Sequence, residues 1–117
     1  MIPRFPRIGI WIVILVALLS NCSLSDSTQE QSKLAELISK ANSDDAEAQH
    51  NLGLMYAEGQ GVTQDHTEAV KWYRLAAEQG SASAQFSLGD MYELGQGVPQ
   101  DYVEAHKWLN LAASQAT

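Results

Sequence analysis

The sequence predicts an all-α solenoid: two stacked helical hairpins preceded by a single helix. Three observations predict it. Residues 46–81 align with 82–117 without a gap, at 21 identities in 36 positions, and such self-similarity is the mark of a stacked repeat. Within each copy the apolar residues recur at helical spacing: Ala48, Leu52, Met55 and Tyr56 on a first helix (A), and Ala69, Trp72, Leu75 and Ala76 on a second (B). Between the two runs stands a glycine-containing turn at Gly59–Gln60–Gly61–Val62, repeated at Gly95–Val98.

The chain begins with Arg4 and Arg7, an unbroken apolar run from Ile8 to Leu19, and Ser20–Asn21–Cys22. This is the layout of a secretory signal over residues 1–21. A helix rising about 1.5 Å per residue would carry twelve residues only about 18 Å, short of the roughly 30 Å hydrocarbon core of a bilayer. Residues 22–31 are polar, with no apolar periodicity, and read as a flexible linker. Over 32–45, Leu34, Leu37, Ile38 and Ala41 keep helical spacing and fall where helix B of a preceding unit would lie, although Glu36 occupies the place of Trp72 and Trp108. This is expected to be a half-repeat helix capping the first unit.

In the first full unit, Gly59 is expected to close helix A in the left-handed conformation. Asp65 should cap helix B, with Glu68 completing a capping box, and Asp101 with Glu104 should do the same in the second. Gly53 and Gly89 lie inside helices, where glycine costs about 1 kcal/mol relative to alanine. Close helix approach is the expected return. Trp72 and Trp108 are expected to fill the space between helices, so Trp72→Ala should unfold the domain.

The stretch Ala46-x-Ala48-Gln49-x-x-Leu52-Gly53-x-Met55-Tyr56, the Gly59-x-Gly61-Val62 turn and the frame Ala69-x-x-Trp72-x-x-x-Ala76-Ala77 resemble the Sel-one-like repeat, a relative of the tetratricopeptide repeat. The resemblance covers residues 46–117 and implies a right-handed α-α superhelix that acts as a protein interaction module. Leu19-Ser20-Asn21-Cys22 resembles the lipobox of bacterial lipoproteins. That likeness implies acylation of Cys22 and, with Ser23 next, a protein tethered to the outer membrane facing the periplasm, with periplasmic release or inner-membrane anchoring as alternatives.

Formal charge is −7, and without the two leader arginines the body holds 5 Lys/Arg against 14 Asp/Glu, or −9. Such a surface repels phosphate backbones and anionic headgroups, so no nucleic acid partner is expected. The lone cysteine excludes an intramolecular disulfide. His50, His66 and His106 form no metal-ligand set and are expected to be exposed. No phosphate loop or nucleophile motif appears, so neither enzyme activity nor a cofactor is expected. Some cysteine-rich relatives are linked to β-lactams, but their paired repeat cysteines have no counterpart here.

Matched positions build the hairpins, which leaves the unmatched ones for recognition. On helix A these form a stripe of Glu47, His50, Leu54, Ala57 and Glu58 in the first copy, and Ser83, Phe86, Asp90, Glu93 and Leu94 in the second. The resemblance assigns this side to the concave surface that receives a protein or peptide segment. Leu54, Phe86 and Leu94 would be apolar anchors, and the carboxylates would select basic groups. An alternative site is the C-terminal edge, where Trp108 and Leu111 would serve docking into a larger complex or self-association.

Overall fold

The computed structural model describes residues 29–115; the stretches expected to be a signal and a lipobox, Cys22 included, and most of that expected to be a linker lie outside the described residues. Compact units divide at Lys33/Leu34. Of the first, Met1–Lys33, the described residues 29–33 are helical; the second, Leu34–Thr117, carries the repeats. Five helices are described: α1 (29–42), α2 (Ala46–Glu58), α3 (His66–Glu78), α4 (Ala82–Leu94) and α5 (Tyr102–Gln115). Helix α1 begins by residue 29, inside the stretch read as linker. Along the chain α2 packs on α3, α3 on α4 and α4 on α5.

The ends of these helices follow from their sequences. Gly59 (φ 71°) and Gly95 (φ 66°) close α2 and α4 in the left-handed region, each donating its N–H to a methionine carbonyl, Met55 and Met91. Asp65 caps α3 by accepting from the N–H groups of Thr67 and Glu68 at 3.0 and 3.2 Å, and Asp101 treats Val103 and Glu104 alike at 2.9 and 3.2 Å. The capping box stays half-built. The Asp65 and Asp101 N–H groups are already held by the carbonyls of Tyr56 and Tyr92, so Glu68 and Glu104 turn instead to Lys71 and Lys107.

Buried glutamines set the spacing between units. Gln85 donates from Nε2 to the Ala77 carbonyl at 3.1 Å, while its Oε1 accepts from Gln115 at 2.9 Å. Gln49 repeats both bonds one unit earlier, to the Ala41 carbonyl at 2.9 Å and from Gln79 at 2.7 Å. These amides are 1% exposed and spend both ends on protein partners, as burial of a polar group requires. Because Ala41 stands to Gln49 as Ala77 stands to Gln85, α1 occupies the place of a helix B. Leu34, Leu37 and Ile38 pack there against Ala48 and Leu52.

The helical glycines mark close approach. A Cβ on Gly53 would come within 2.6 Å of the Tyr73 ring, and one on Gly89 within 2.8 Å of Leu109. Tyr73 is the buried ring at 2% exposure, clustered with Ala69, Val70, Ala76, Ala77, Ala84 and Leu88. Trp72 and Trp108 are half-buried and pack against the edges of the core clusters. The Trp72 indole N–H is buried with no hydrogen-bond partner among the described residues, which offsets part of what its apolar area contributes. Tyr73, rather than Trp72, therefore occupies the centre of the interior.

Candidate functional site: a groove on the helix A face

The groove is assembled from the two A helices and the end of α5. Its walls are His50 and Leu54 from α2, Ala82, Ser83, Phe86 and Ser87 from α4, and Leu109, Ala112 and Ala113 from α5, enclosing about 770 Å³. Leu54 is half-buried against the core, whereas Phe86 is 56% exposed. The lining is largely apolar, which suits an aromatic or aliphatic side chain.

Its polar element is a chain of contacts over Tyr73. His50 Nε2 lies 3.3 Å from Ser87 Oγ, and the His50 and Tyr73 ring centroids are 5.7 Å apart. Burial holds the His50 imidazole below its ordinary pKa, so the ring is neutral at pH 7. Burial and the nearby Glu58 push the Tyr73 hydroxyl up to about 12, opposed by a hydrogen bond with Ser87. The His–Ser pair has the separation of a base and a nucleophile, but its setting differs. Ser87 sits in the middle of α4, where backbone N–H groups are spent on the helix ladder and are not free to stabilise an oxyanion.

The predicted stripe separates into three groups. His50, Leu54, Ser83 and Phe86 converge on the groove. Glu47 lines a smaller recess of about 210 Å³ with Leu37, Lys40, Asp45, Ala48 and Asn51. Glu58, Asp90, Glu93 and Leu94 continue along α2 and α4 beyond the groove lining, with Leu94 65% exposed. Ala57 is half-buried against the core and contributes to packing. Sequence reasoning missed Ser87 and Leu109, although both differ from their counterparts, Asn51 and Tyr73. Ala82, Ala112 and Ala113 are matched between copies, so comparing copies gave no signal for them.

Two further expectations need correction. His106 is exposed, but His50 and His66 are half-buried: His50 lies against Tyr73, and Gly97 packs so closely on the start of α3 that a Cβ there would fall on the His66 carbonyl. At the C-terminal edge, Leu111 is 43% exposed, yet its counterpart Leu75, on a helix packed between two others, is 44% exposed. This position therefore faces solvent whether or not a further unit packs on its helix, and the exposure of Leu111 does not mark an uncovered edge. The α5 residues equivalent to those that α3 turns toward α4 are His106, Leu109 and Ala113, counterparts of Val70, Tyr73 and Ala77.

Carboxylates occur on every described helix, but the cations are confined to one layer. Helices α2 and α4 carry Glu47, Glu58, Asp90 and Glu93 and no Lys or Arg. The cations lie on α1, α3 and α5. Lys40, Lys71 and Lys107 pair with Glu36, Glu68 and Glu104 on their own helices, and Arg74 bonds the Tyr92 hydroxyl and lies 5.9 Å from the centroid of its ring. Burial, then Glu93, raises the Asp90 carboxyl above its ordinary pKa.

Hairpins stacked through buried glutamines, with their recognition positions on one acidic, grooved layer, define an α-helical repeat protein of the interaction-module class. The Sel1 repeat profile matches residues 46–81 and 82–116, and the chain belongs to that family of protein-interaction modules. It is similar to a protective antigen of uropathogenic Escherichia coli strains that displays an SLR fold, at 51% identity and a TM-score of 0.68 over 69% of this chain and 17% of that one. It is also similar to a Sel1 repeat protein from Oxalobacter formigenes, at 36% identity and a TM-score of 0.71 over 85% of this chain and 41% of that one. The chain thus spans less than half the length of either solved relative. No curated protein matches it.

Proposed function

We propose that this chain is a non-enzymatic adaptor of the bacterial cell envelope that captures a protein or peptide segment on the α2–α4 face. The observation that carries the reading is the convergence of His50, Leu54, Ser83 and Phe86, unmatched between copies, on one apolar groove. Positions that only hold hairpins together have no reason to diverge there. A photo-crosslinking residue placed at Phe86 and, separately, at Leu111 tests it in cells. Capture from position 86 alone is expected; capture from position 111 alone would move the binding surface to the outer side of α5. Phe86→Ala combined with Asp90→Lys should abolish that capture while leaving the melting temperature unchanged, because Phe86 is more than half exposed and Asp90 makes no ion pair among the described residues, so that the lysine relieves its repulsion with Glu93.

The tether belongs to the same proposal. Acylation of Cys22 would hold the module at a membrane, since each buried methylene contributes about 0.8 kcal/mol and two or more chains make release negligible. The favoured site is the outer membrane, facing the periplasm. Cys22→Ala should remove fatty-acid labelling and membrane retention together. Retention without the cysteine would reject the lipid anchor and leave the groove reading intact.

A further inference from the structure

The three exposed turns of α4 alternate in character. Phe86, Asp90 and Leu94 stand four residues apart, so they rise along one face in steps of about 6 Å. The equivalent positions on α2, His50, Leu54 and Glu58, run in the opposite phase, so apolar and ionisable groups alternate along each helix and between the two. This layer holds no cation of its own, and three of the chain's lysines are paired on other helices. Asp90 is half-buried between two exposed apolar side chains, next to Glu93 on the same helix, and no counter-charge meets it.

We propose that the segment bound on the helix A face, running from the groove at Phe86 along α4, presents apolar, basic and apolar side chains in that order, with its Lys or Arg on Asp90 and its apolar groups on Phe86 and Leu94. The inference rests on the helix A face being the binding surface and adds the order of chemistry required of the partner. Two backbones meet the spacing: alternate residues of an extended strand repeat at about 6.6 Å, and every fourth residue of a helix at about 6 Å. A cation at the centre also answers the mutual repulsion of Asp90 and Glu93. An acidic or neutral residue there would leave Asp90 covered by apolar groups without a partner, which is costly for a carboxylate. The surface therefore discriminates by penalty as well as by attraction.

The test uses the full chain and short fluorescent peptides bearing Phe, Lys and Leu at alternate positions or at every fourth, beside matched peptides with Ser or Glu replacing Lys. Binding is read by anisotropy against the native chain, Asp90→Asn, Asp90→Lys and Phe86→Ala, with folding of each variant checked by circular dichroism. The Lys peptides of one spacing should bind about fivefold more tightly than their Ser counterparts, with the advantage shrinking in salt. That advantage should vanish in Asp90→Asn, and Asp90→Lys should prefer the Glu peptides. Equal affinity for Lys, Ser and Glu peptides, or a Lys preference that survives Asp90→Asn, overturns the proposed order. If Phe86→Ala still weakens every peptide in that case, the face remains the binding surface; if it weakens none, that reading falls too. Failure of every peptide to bind also overturns the order, and the crosslink from position 86 then decides the face independently.

Discussion

Helices α3 and α5 are copies of one another in different surroundings, and the difference separates what a unit needs internally from what it offers a neighbour. In α3, which packs against both α2 and α4, the buried residues are Ala69, Val70, Tyr73, Ala76 and Ala77. In α5, which packs against α4, they are Ala105 and Ala112 alone. The pairs buried in both, Ala69 with Ala105 and Ala76 with Ala112, are small residues that let helix B lie close to its own helix A. Pairs buried only in α3, Val70 with His106 and Ala77 with Ala113, face the following unit. Tyr73 bridges the two roles, beneath Gly53 of its own hairpin and against His50, which contacts Ser87 of the next.

That division makes the aromatic position the place to break the comparison. Tyr73→Ala empties the centre of the larger core cluster and should cost about 3–5 kcal/mol, as truncations of buried aromatics do. Leu109→Ala removes the equivalent side chain from a half-buried site and should cost about 1–3 kcal/mol. Thermal or urea melts of the two variants would measure this. Equal losses would show that α5 is supported as fully as α3.

A second matched pair sharpens the same point at the turns. Gly61 and Gly97 share φ 73°, so alanine at either meets backbone strain of about 1–2 kcal/mol. Around them the packing differs: a Cβ on Gly61 would approach only the end of the Met55 side chain, at 3.3 Å, whereas one on Gly97 would strike the backbone of His66 and Thr67. Gly97→Ala should therefore cost about 1–3 kcal/mol more than Gly61→Ala, because backbone yields less readily than a flexible side chain. Equal melts would mean the second turn is free to move away from α3.

Much of this architecture was legible from the repeat itself. The 36-residue period fixed the hairpins, the glycine closures and the aspartate caps because each depends on residues near in sequence. What the sequence concealed depends on the third dimension. Helical spacing places Trp72 and Tyr73 on adjacent faces but does not say which face meets the next unit, so spacing points to the larger ring for the interior, whereas the smaller one lies there. The capping box failed for a similar reason: Asp65 and Asp101 spend their N–H groups on Tyr56 and Tyr92, nine residues back across the turn. At the groove, comparing copies found His50, Leu54, Ser83 and Phe86, which vary. It passed over Ala112 and Ala113, which match Ala76 and Ala77 and line the groove in the second unit.

The smallest expected effect tests the one contact that joins the two A helices through a titratable group. His50 lies against Tyr73 and Ser87, and burial holds its pKa below the ordinary 6.5. Well above pH 6.5 the ring is neutral in both folded and unfolded chains, and its contribution to stability is fully present. As the pH falls through that value, the unfolded chain takes up the proton first, so stability declines toward the lower folded pKa. The titratable group against the ring is Tyr73, which stays uncharged with a pKa of about 12, and Glu58 lies near Tyr73 in turn. His50→Phe installs the residue found at the equivalent position of the second unit, Phe86, and removes the ionisation. Melts between about pH 7.5 and 5.5 should show a shallower acid-side loss in the variant than in the native chain. Identical slopes would mean that His50 leaves the groove as readily as any exposed histidine, and that the two units meet there through Tyr73 alone.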